Sequence, residues 1–376
     1  MKTKLLITGL TLLALSTLNP QLSTAFAQGS LTPPGPPAPT MKTADQIEPR
    51  TIVNAANTPG NTTNLFIISQ PGSYYLTTNL TVSSGNAVTI ATNGVTLDLN
   101  GFTLSSTAAS AAGYGIWLNN NNNTSVRDIT IVNGHIRSSV TESGGVYSGS
   151  GFAIGINFSG NSPANVVVSK VSVSGVLSHG IYLGNGNATV VEDCTVTTAG
   201  ANGITASTIK TSVATDCGSS AISGDQVADC RGQSVNNYGV YASSTALNCY
   251  GNSGNATGLY AGTAQNCYGQ GGSQPGISCY IAQNCSGQST TGVGLSAQYL
   301  AQNSFGQCNN GIGLAASTAV NCFGYGFGSS PGLAATRANS CYGFSSSGTG
   351  LVATNAIFCF GSPSVIVTTA NKYNMP

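Results

Sequence analysis

The chain has 376 residues, of which 40% are apolar and only 6% charged, with a formal net charge of +1. An ordinary globular protein is roughly a quarter charged, so this chain has no basic surface to hold nucleic acid and no cationic run to hold anionic lipid. From Gly232 onward the only charged side chains are Arg337 and Lys372. Apolar residues set in a strict period exclude disorder as the reason for the low charge.

The N-terminus reads as an export signal. Lys2 and Lys4 form a basic start, Leu5 to Leu18 an apolar stretch, and Ala25-Phe26-Ala27 a small-x-small cleavage site, so the mature chain is expected to begin near Gln28. No later segment is long and apolar enough to span a bilayer as a helix. Leu31 to Thr40 (LTPPGPPAPT) is a proline-rich spacer. A charged segment with Lys42, Asp45, Glu48 and Arg50 follows and reads as a cap or docking strand. The resulting division is 1–27 signal peptide, 28–61 linker and cap, 62–364 repeat body, and 365–376 tail.

From about Asn64 a β pattern takes over. Val95, Leu97 and Leu99 alternate with polar residues, as do Ile129 and Ile131, then Val166 and Val168. No stretch shows a sustained helical period. Arg127, Asp128, His135 and Arg137 make the densest polar patch, with His135 and Arg137 flanking inward Ile136 and so projecting from one outer face. A solvated strand edge explains them without catalysis. His179 reads as a turn residue ahead of Gly180-Ile181. Asp193 and Asp229 fall about two coils, or roughly 10 Å, apart. With Glu192 and Asp225 near them in sequence, they are the one place where calcium is worth considering. No other cofactor or metal is expected.

The strongest periodicity is carried by cysteine. Eight of eleven, Cys194, Cys230, Cys249, Cys267, Cys285, Cys322, Cys341 and Cys359, fall on one ruler with Ser212 and Ser304 filling its gaps, in steps of 18 or 19 residues. A period so short is one supersecondary unit repeated, a solenoid coil. The later coils read A-x-N-C-aromatic-G, as in Ala264 to Gly269, and on most coils a Gly-aliphatic pair such as Gly258-Leu259 lies eight to nine residues upstream of the cysteine. Aligned with earlier coils, the cysteine falls where Phe102 and Val171 sit and so points inward. Parallel in-register side chains keep Cβ atoms about 4.8 Å apart, wider than a disulfide prefers. The tolerated serines point the same way, to free structural thiols filling a narrow core rather than a disulfide framework or a metal stack. Cys217, Cys279 and Cys308 lie off the ladder, Cys279 aligning with inward Ala261 and Ala297.

Two more ladders flank the thiols. One residue earlier, at a bend, come Asp193, Asp229, Asn248, Asn266, Asn284, Asn303 and Asn321, whose amides can hydrogen-bond from coil to coil and satisfy a buried turn. One residue later, facing outward, come Tyr250, Tyr268, Ser286, Phe305, Phe323, Tyr342 and Phe360. Extrapolated backward, this stripe passes through Arg231 and Thr195 to His135. A stable core does not require it.

The segments GSYYLTTNLTV (Gly72 to Val82) and GVTLDLNGFTL (Gly94 to Leu104), after a start containing Met41-Lys42-Thr43, resemble exported right-handed parallel β-helix proteins of the pectin-lyase-like superfamily, in particular an uncharacterised bacterial group. The resemblance runs from about Met41 to the C-terminus and is most specific in the first coils. It implies an all-β, single-domain right-handed parallel β-helix with three-sheet coils, an apolar interior, a capped end and roughly 18-residue C-terminal coils. It implies no activity, because the fold hosts lyases, hydrolases, epimerases, adhesins and phage spikes alike. Lyases on it use a Lys or Arg base, often with aspartates holding calcium, and glycosidases use clustered aspartates. This chain has neither a paired Asp-Asp nor a Gly-His-Gly. Asp98 lies in the shared stretch and reads as structural.

Two readings of function emerge. The first is an exported, non-catalytic β-helix for cell-surface attachment or glycan contact through the outward rings, in the periplasm, at the cell surface or in the medium. A polysaccharide, a surface component or a second copy of the chain would be its partner. The second is a polysaccharide lyase or glycoside hydrolase centred on Arg127, Asp128, His135 and Arg137.

Overall fold

The computed structural model describes residues 48–119, 126–158, 163–184 and 188–367, with the backbone of 372–373. The export signal, the spacer and the Met41-Lys42-Thr43 segment lie outside the described residues. Met1–Pro49 and Arg50–Pro376 are separate compact units, and the coils belong to the second.

This second unit is an all-β parallel solenoid of about 16 turns, more than the dozen that the repeats suggest. No helix occurs among the described residues. One coil shows the plan. Ile204–Thr205, Thr208–Lys210 and Val213–Cys217 are three short strands on three faces, each paired in parallel with the next coil. In later coils the first two merge into one strand that bends at a register shift, as in Val240–Leu247 between Ala242 and Thr245. Stacking begins early, with Thr51–Ile52 on Tyr74 and Tyr75. It continues through Val365–Val367 on Leu351 to Ala353. The antiparallel hairpin Thr141–Ser143 with Val146–Ser148 departs from this scheme. Its Tyr147 donates to the Asp216 carboxylate at 3.1 Å and lies over Gly218.

The interior obeys the alternation. Leu97, Leu99, Leu104, Ile131, Ile136, Val168 and Val173 are buried in the early coils, and Leu259, Ala261, Ala264 and Cys267 in the late ones. The late core is thin because glycines let two strands close on each other. A Cβ on Gly251 would overlap the Gly258 carbonyl, and one on Gly258 would come within 2.6 Å of the Gln270 carbonyl carbon. This close approach accounts for both glycines of the repeat.

The bend ahead of each thiol is left-handed. Asp193, Asp229, Asn248, Asn266, Asn284, Asn303 and Asn321 have φ between 50 and 55°, a region where Asn and Asp are enriched. The residue after the bend then closes it. Cys230 donates to the Ala228 carbonyl at 3.0 Å and Cys249 to that of Leu247 at 3.1 Å. Ser212 and Ser304 make the same bond, to Lys210 and Gln302, at 2.7 and 2.8 Å. The ruler therefore selects a short side chain with a γ donor, and not merely a small one. That is why serine and cysteine interchange on it. All eleven cysteines are free thiols and buried.

Asp98 is structural. It accepts from Arg50 at 2.9 Å, from the Asn100 backbone at 2.7 Å and from Asn133 at 3.3 Å. Arg50 also lies 4.5 Å over the Tyr75 ring.

Candidate functional site

The strand after a late bend is typically four residues long, for example Tyr268–Gly271 and Phe305–Cys308, and three at Phe360–Ser362. Its first residue faces outward because its neighbours on both sides, such as Cys267 and Gly269, are buried. The parallel register joins these positions into one column: His135, Ser172, Thr195, Val213, Arg231, Tyr250, Tyr268, Ser286, Phe305, Phe323, Tyr342 and Phe360. Most of its late members are half-buried, and Phe360 is 56% exposed.

The rings lie on one another along the solenoid axis. Tyr250 and Tyr268 stack at 5.3 Å and 11°, Phe305 and Phe323 at 5.5 Å and 24°, and Phe323 and Tyr342 at 4.8 Å and 14°. The Arg231 guanidinium covers the outer face of Tyr250 at 4.9 Å. A stacked ladder offers a ligand its edges and hydroxyls, because its faces cover each other.

Beside the rings run the bend amides. Asn248 donates to Asp229 at 2.9 Å, Asn266 to Asn248 at 3.1 Å, Asn284 to Asn266 at 3.2 Å, and Asn303 and Asn321 each to the preceding amide at 3.3 Å. The chain of donors runs one way and ends on the Asp229 carboxylate, so each bond polarises the next. The amides bond from coil to coil as the sequence suggests, but the turn is not buried: Asp229, Asn248, Asn266 and Asn284 are exposed. A left-handed residue at an outer corner has no layer above it to bury it. Each amide keeps a second N–H and a second acceptor site free of the ladder.

Between the amides and the rings lies an open groove of about 530 Å³. Asp229, Asn248, Asn266 and Asn284 form one wall and Arg231, Tyr250, Tyr268 and Ser286 the other, over the thiols of Cys230, Cys249 and Cys267. Those thiols are each 3% exposed. Burial pushes the Cys230 thiol up to about 11, and burial together with Tyr250 raises the Tyr268 hydroxyl. At neutral pH both are therefore neutral donors. Asp229 and Arg231 are the only charges lining the groove, and they carry opposite signs.

The polar patch of the early coils is not assembled into a centre. Asp128 sits in a left-handed bend (φ 59°) and accepts from Asn165 at 2.7 Å, and the Arg127 backbone donates to Asn93. The strand Arg127–Arg137 then turns at Asn133, also at φ 59°, before reaching His135 and Arg137. The two pairs thus occupy different faces, and among the described residues no hydrogen bond or ion pair links them. Arg137 borders a separate hollow of about 550 Å³ with Ser105, Ser139 and Ser174. His179 accepts the Asn202 backbone N–H at 3.3 Å and lies 4.5 Å from the Tyr182 ring, and burial lowers its pKa. Asp193 is another bend residue, and no group of three His, Cys, Asp or Glu placed to hold a metal ion occurs among the described residues.

Two features went unread in the sequence. Two residues beyond the stripe runs a second outward column of Asn252, Gln270, Gln288, Gln307, Tyr325 and Phe344. Its Gln288 accepts the Tyr268 hydroxyl at 2.6 Å, and Tyr325 stacks on Phe344 at 4.5 Å. Period-two alternation from the aromatic residue would have found it. On another face Tyr241 and Tyr260 stack at 5.2 Å and 7°, at the residue following the Gly-aliphatic pair.

No family description matches the chain, and no curated protein matches it. Two solved structures are similar to it. The Dettilon tailspike protein (gp208) is 14% identical with a TM-score of 0.31, over 83% of this chain and 60% of that one. The Geobacillus virus E2 protein ORF18 is 12% identical with a TM-score of 0.26, over 86% of this chain and 55% of that one. This chain thus spans less than two thirds of either.

Proposed function

We propose that this chain is an exported β-helix protein, of the pectin-lyase-like kind its first coils resemble, that contacts glycan at a cell surface without cleaving it. The observation that carries the reading is the groove. It sets a row of amides, each with spare hydrogen-bonding capacity, against two stacked tyrosines, Tyr250 and Tyr268, one coil spacing apart. Sugars can use that pairing, their hydroxyls meeting the amides and the tyrosine hydroxyls while their C–H surface lies along the ring edges. Its opposed charges and the near absence of charge in the later coils favour a neutral polymer, whose binding would change little with salt. Export rests on Lys2, Lys4, the Leu5 to Leu18 stretch and Ala25-Phe26-Ala27.

Calorimetric titration of the purified protein with soluble neutral and acidic oligosaccharides tests this directly. Tyr250→Ala is expected to weaken binding about tenfold, the equivalent of ~1.4 kcal/mol, with little change in melting temperature. Failure of the wild type to bind any of the panel would sink the reading. New reducing ends or unsaturated products in the same mixtures would replace it with the lyase or hydrolase alternative.

A further inference from the structure

The stripe is broken at one place inside the groove. Ser286 stands where a ring would stand, between Tyr268 on the preceding coil and Phe305 on the next. Tyr268 has its other face on Tyr250, and Phe305 has its other face on Phe323. The Tyr250 face that looks away from Tyr268 is covered by Arg231. Elsewhere along this part of the ladder ring faces are occupied, whereas over Ser286 two faces look at each other across a missing rung.

The geometry points to the Ser286 gap as a slot that takes one neutral pyranose ring, sandwiched between Tyr268 and Phe305. This rests on the glycan reading and says where in the groove a sugar is gripped. Two coil steps put the facing rings about 10 Å apart. Two van der Waals contacts of about 3.5–4.0 Å use some 7–8 Å of that, and the thickness of a puckered six-membered ring takes up the rest.

The polar atoms around the slot are uncharged. Ser286 forms its floor, and no hydrogen bond from its hydroxyl is made among the described residues. Asn284 uses one N–H on Asn266 and accepts from Asn303, leaving its second N–H. Gln288 holds the Tyr268 hydroxyl through its carbonyl oxygen at 2.6 Å, which leaves its amide N–H groups free. The nearest charges lining the groove, Arg231 and Asp229, lie three coils away, about 15 Å, beyond the screening length of about 8 Å at physiological salt. A carboxylated sugar here would lose hydration with no cation to replace it, so the slot selects a neutral one.

The test is titration of the purified protein with cellohexaose, chitohexaose, laminarihexaose and a galacturonate hexamer. Ser286→Tyr supplies the missing rung; it should leave the melting temperature unchanged or raised while lowering affinity for the bound neutral hexamer at least tenfold. Tyr268→Leu and Phe305→Leu remove a wall instead of filling the slot and should lower affinity by a similar factor, so the result does not hang on one variant folding. Tyr299→Ala, outside the groove, should change nothing. If Ser286→Tyr and the wall variants bind like wild type while Tyr250→Ala weakens binding, the slot is wrong and the glycan groove stands. If the wild type binds none of the four sugars, both fall. Tighter binding of the galacturonate hexamer than of any neutral sugar would overturn the neutral class.

Discussion

Coils between Val95 and Val176 fill their interior with Leu97, Leu99, Ile131, Ile136, Val168 and Val173, whereas those between Val240 and Ala356 place Leu259, Ala261, Ala264 and Cys267 inside. The early coils are long, Leu97 stacking on Ile131 and Ile131 on Val168, and they carry the Thr141–Ser148 hairpin. The late coils are short and nearly identical. The two halves share one parallel hydrogen-bond ladder, but they close their cross-section differently. The early half buries aliphatic volume. The late half brings backbones together through glycine and closes its corners from Asn248 to Asn321 with a left-handed amide residue and a γ donor. A fixed coil length results from that second solution, because a glycine contact, a bend and a thiol bond must recur at the same place in every turn. Such a strict repeat sets like side chains in register from coil to coil, which is how amides line one wall of the late groove.

The largest expected break between the halves is alkaline. All eleven thiols lie from Cys194 to Cys359. Burial is the main reason that Cys194 and Cys230 are pushed up to about 11 and Cys217 to about 12. An unfolded thiol titrates near 8.5, so between that pH and the folded value the folded state holds the extra proton. Stability is therefore untouched below about pH 8, and above it falls by about 1.4 kcal/mol per pH unit for each such thiol. The coils from Cys194 to Cys230, where those three thiols sit, should open first, between roughly pH 9 and 11, seen as partial loss of far-ultraviolet β signal. Emission from Trp117, the chain's single tryptophan and an early-coil residue, should change later. Simultaneous loss of both signals would make the solenoid one cooperative unit, and the contrast between halves would have no energetic meaning.

Next in size is a test of what fills each half. Ile131→Ala empties a fully buried aliphatic site and should cost about 2–5 kcal/mol. Gly258→Ala adds one methyl group against the Gln270 backbone, which cannot rotate away, and should cost at least ~3 kcal/mol. Denaturant melts of the two variants measure both. A Gly258→Ala protein within about 1 kcal/mol of wild type would mean the late strands do not meet backbone to backbone.

The halves also differed in how much their sequence disclosed. The 18- and 19-residue ruler made the late coils, the inward thiols and the outward stripe readable, because register converts period into stacking. The same alignment carried the stripe back through Arg231 and Thr195 to His135, where the pairing places it. The reason for cysteine was not readable as more than size, since a bond to a carbonyl two residues back needs the left-handed bend between them. The groove was invisible as a unit: the amides and rings were each noted, but how far a corner opens depends on the angle between two strands. Arg127, Asp128, His135 and Arg137 looked clustered because sequence distance hides the bend at Asn133.

The smallest effect concerns the bend itself. From Asn248 to Asn321 the left-handed corner is held by asparagine, as at Asn266 with φ 53°, whereas the early coil at Lys170 adopts φ 55° with a side chain unsuited to it. A non-glycine L-residue in this region costs roughly 1–2 kcal/mol, less for asparagine. Lys170→Asn should therefore stabilise the protein by up to about 1 kcal/mol, and more if the new amide donates to Asn133 on the preceding coil. Asn266→Gly keeps the backbone region and loses only the amide bonds, while Asn266→Ala loses both and should be the less stable of the two. Thermal melts of these three variants rank the contributions. If Lys170→Asn is destabilising, the corner at Lys170 is fixed by something other than its backbone angle, and the asparagine ladder is then a device of the late coils alone, serving the groove rather than the fold.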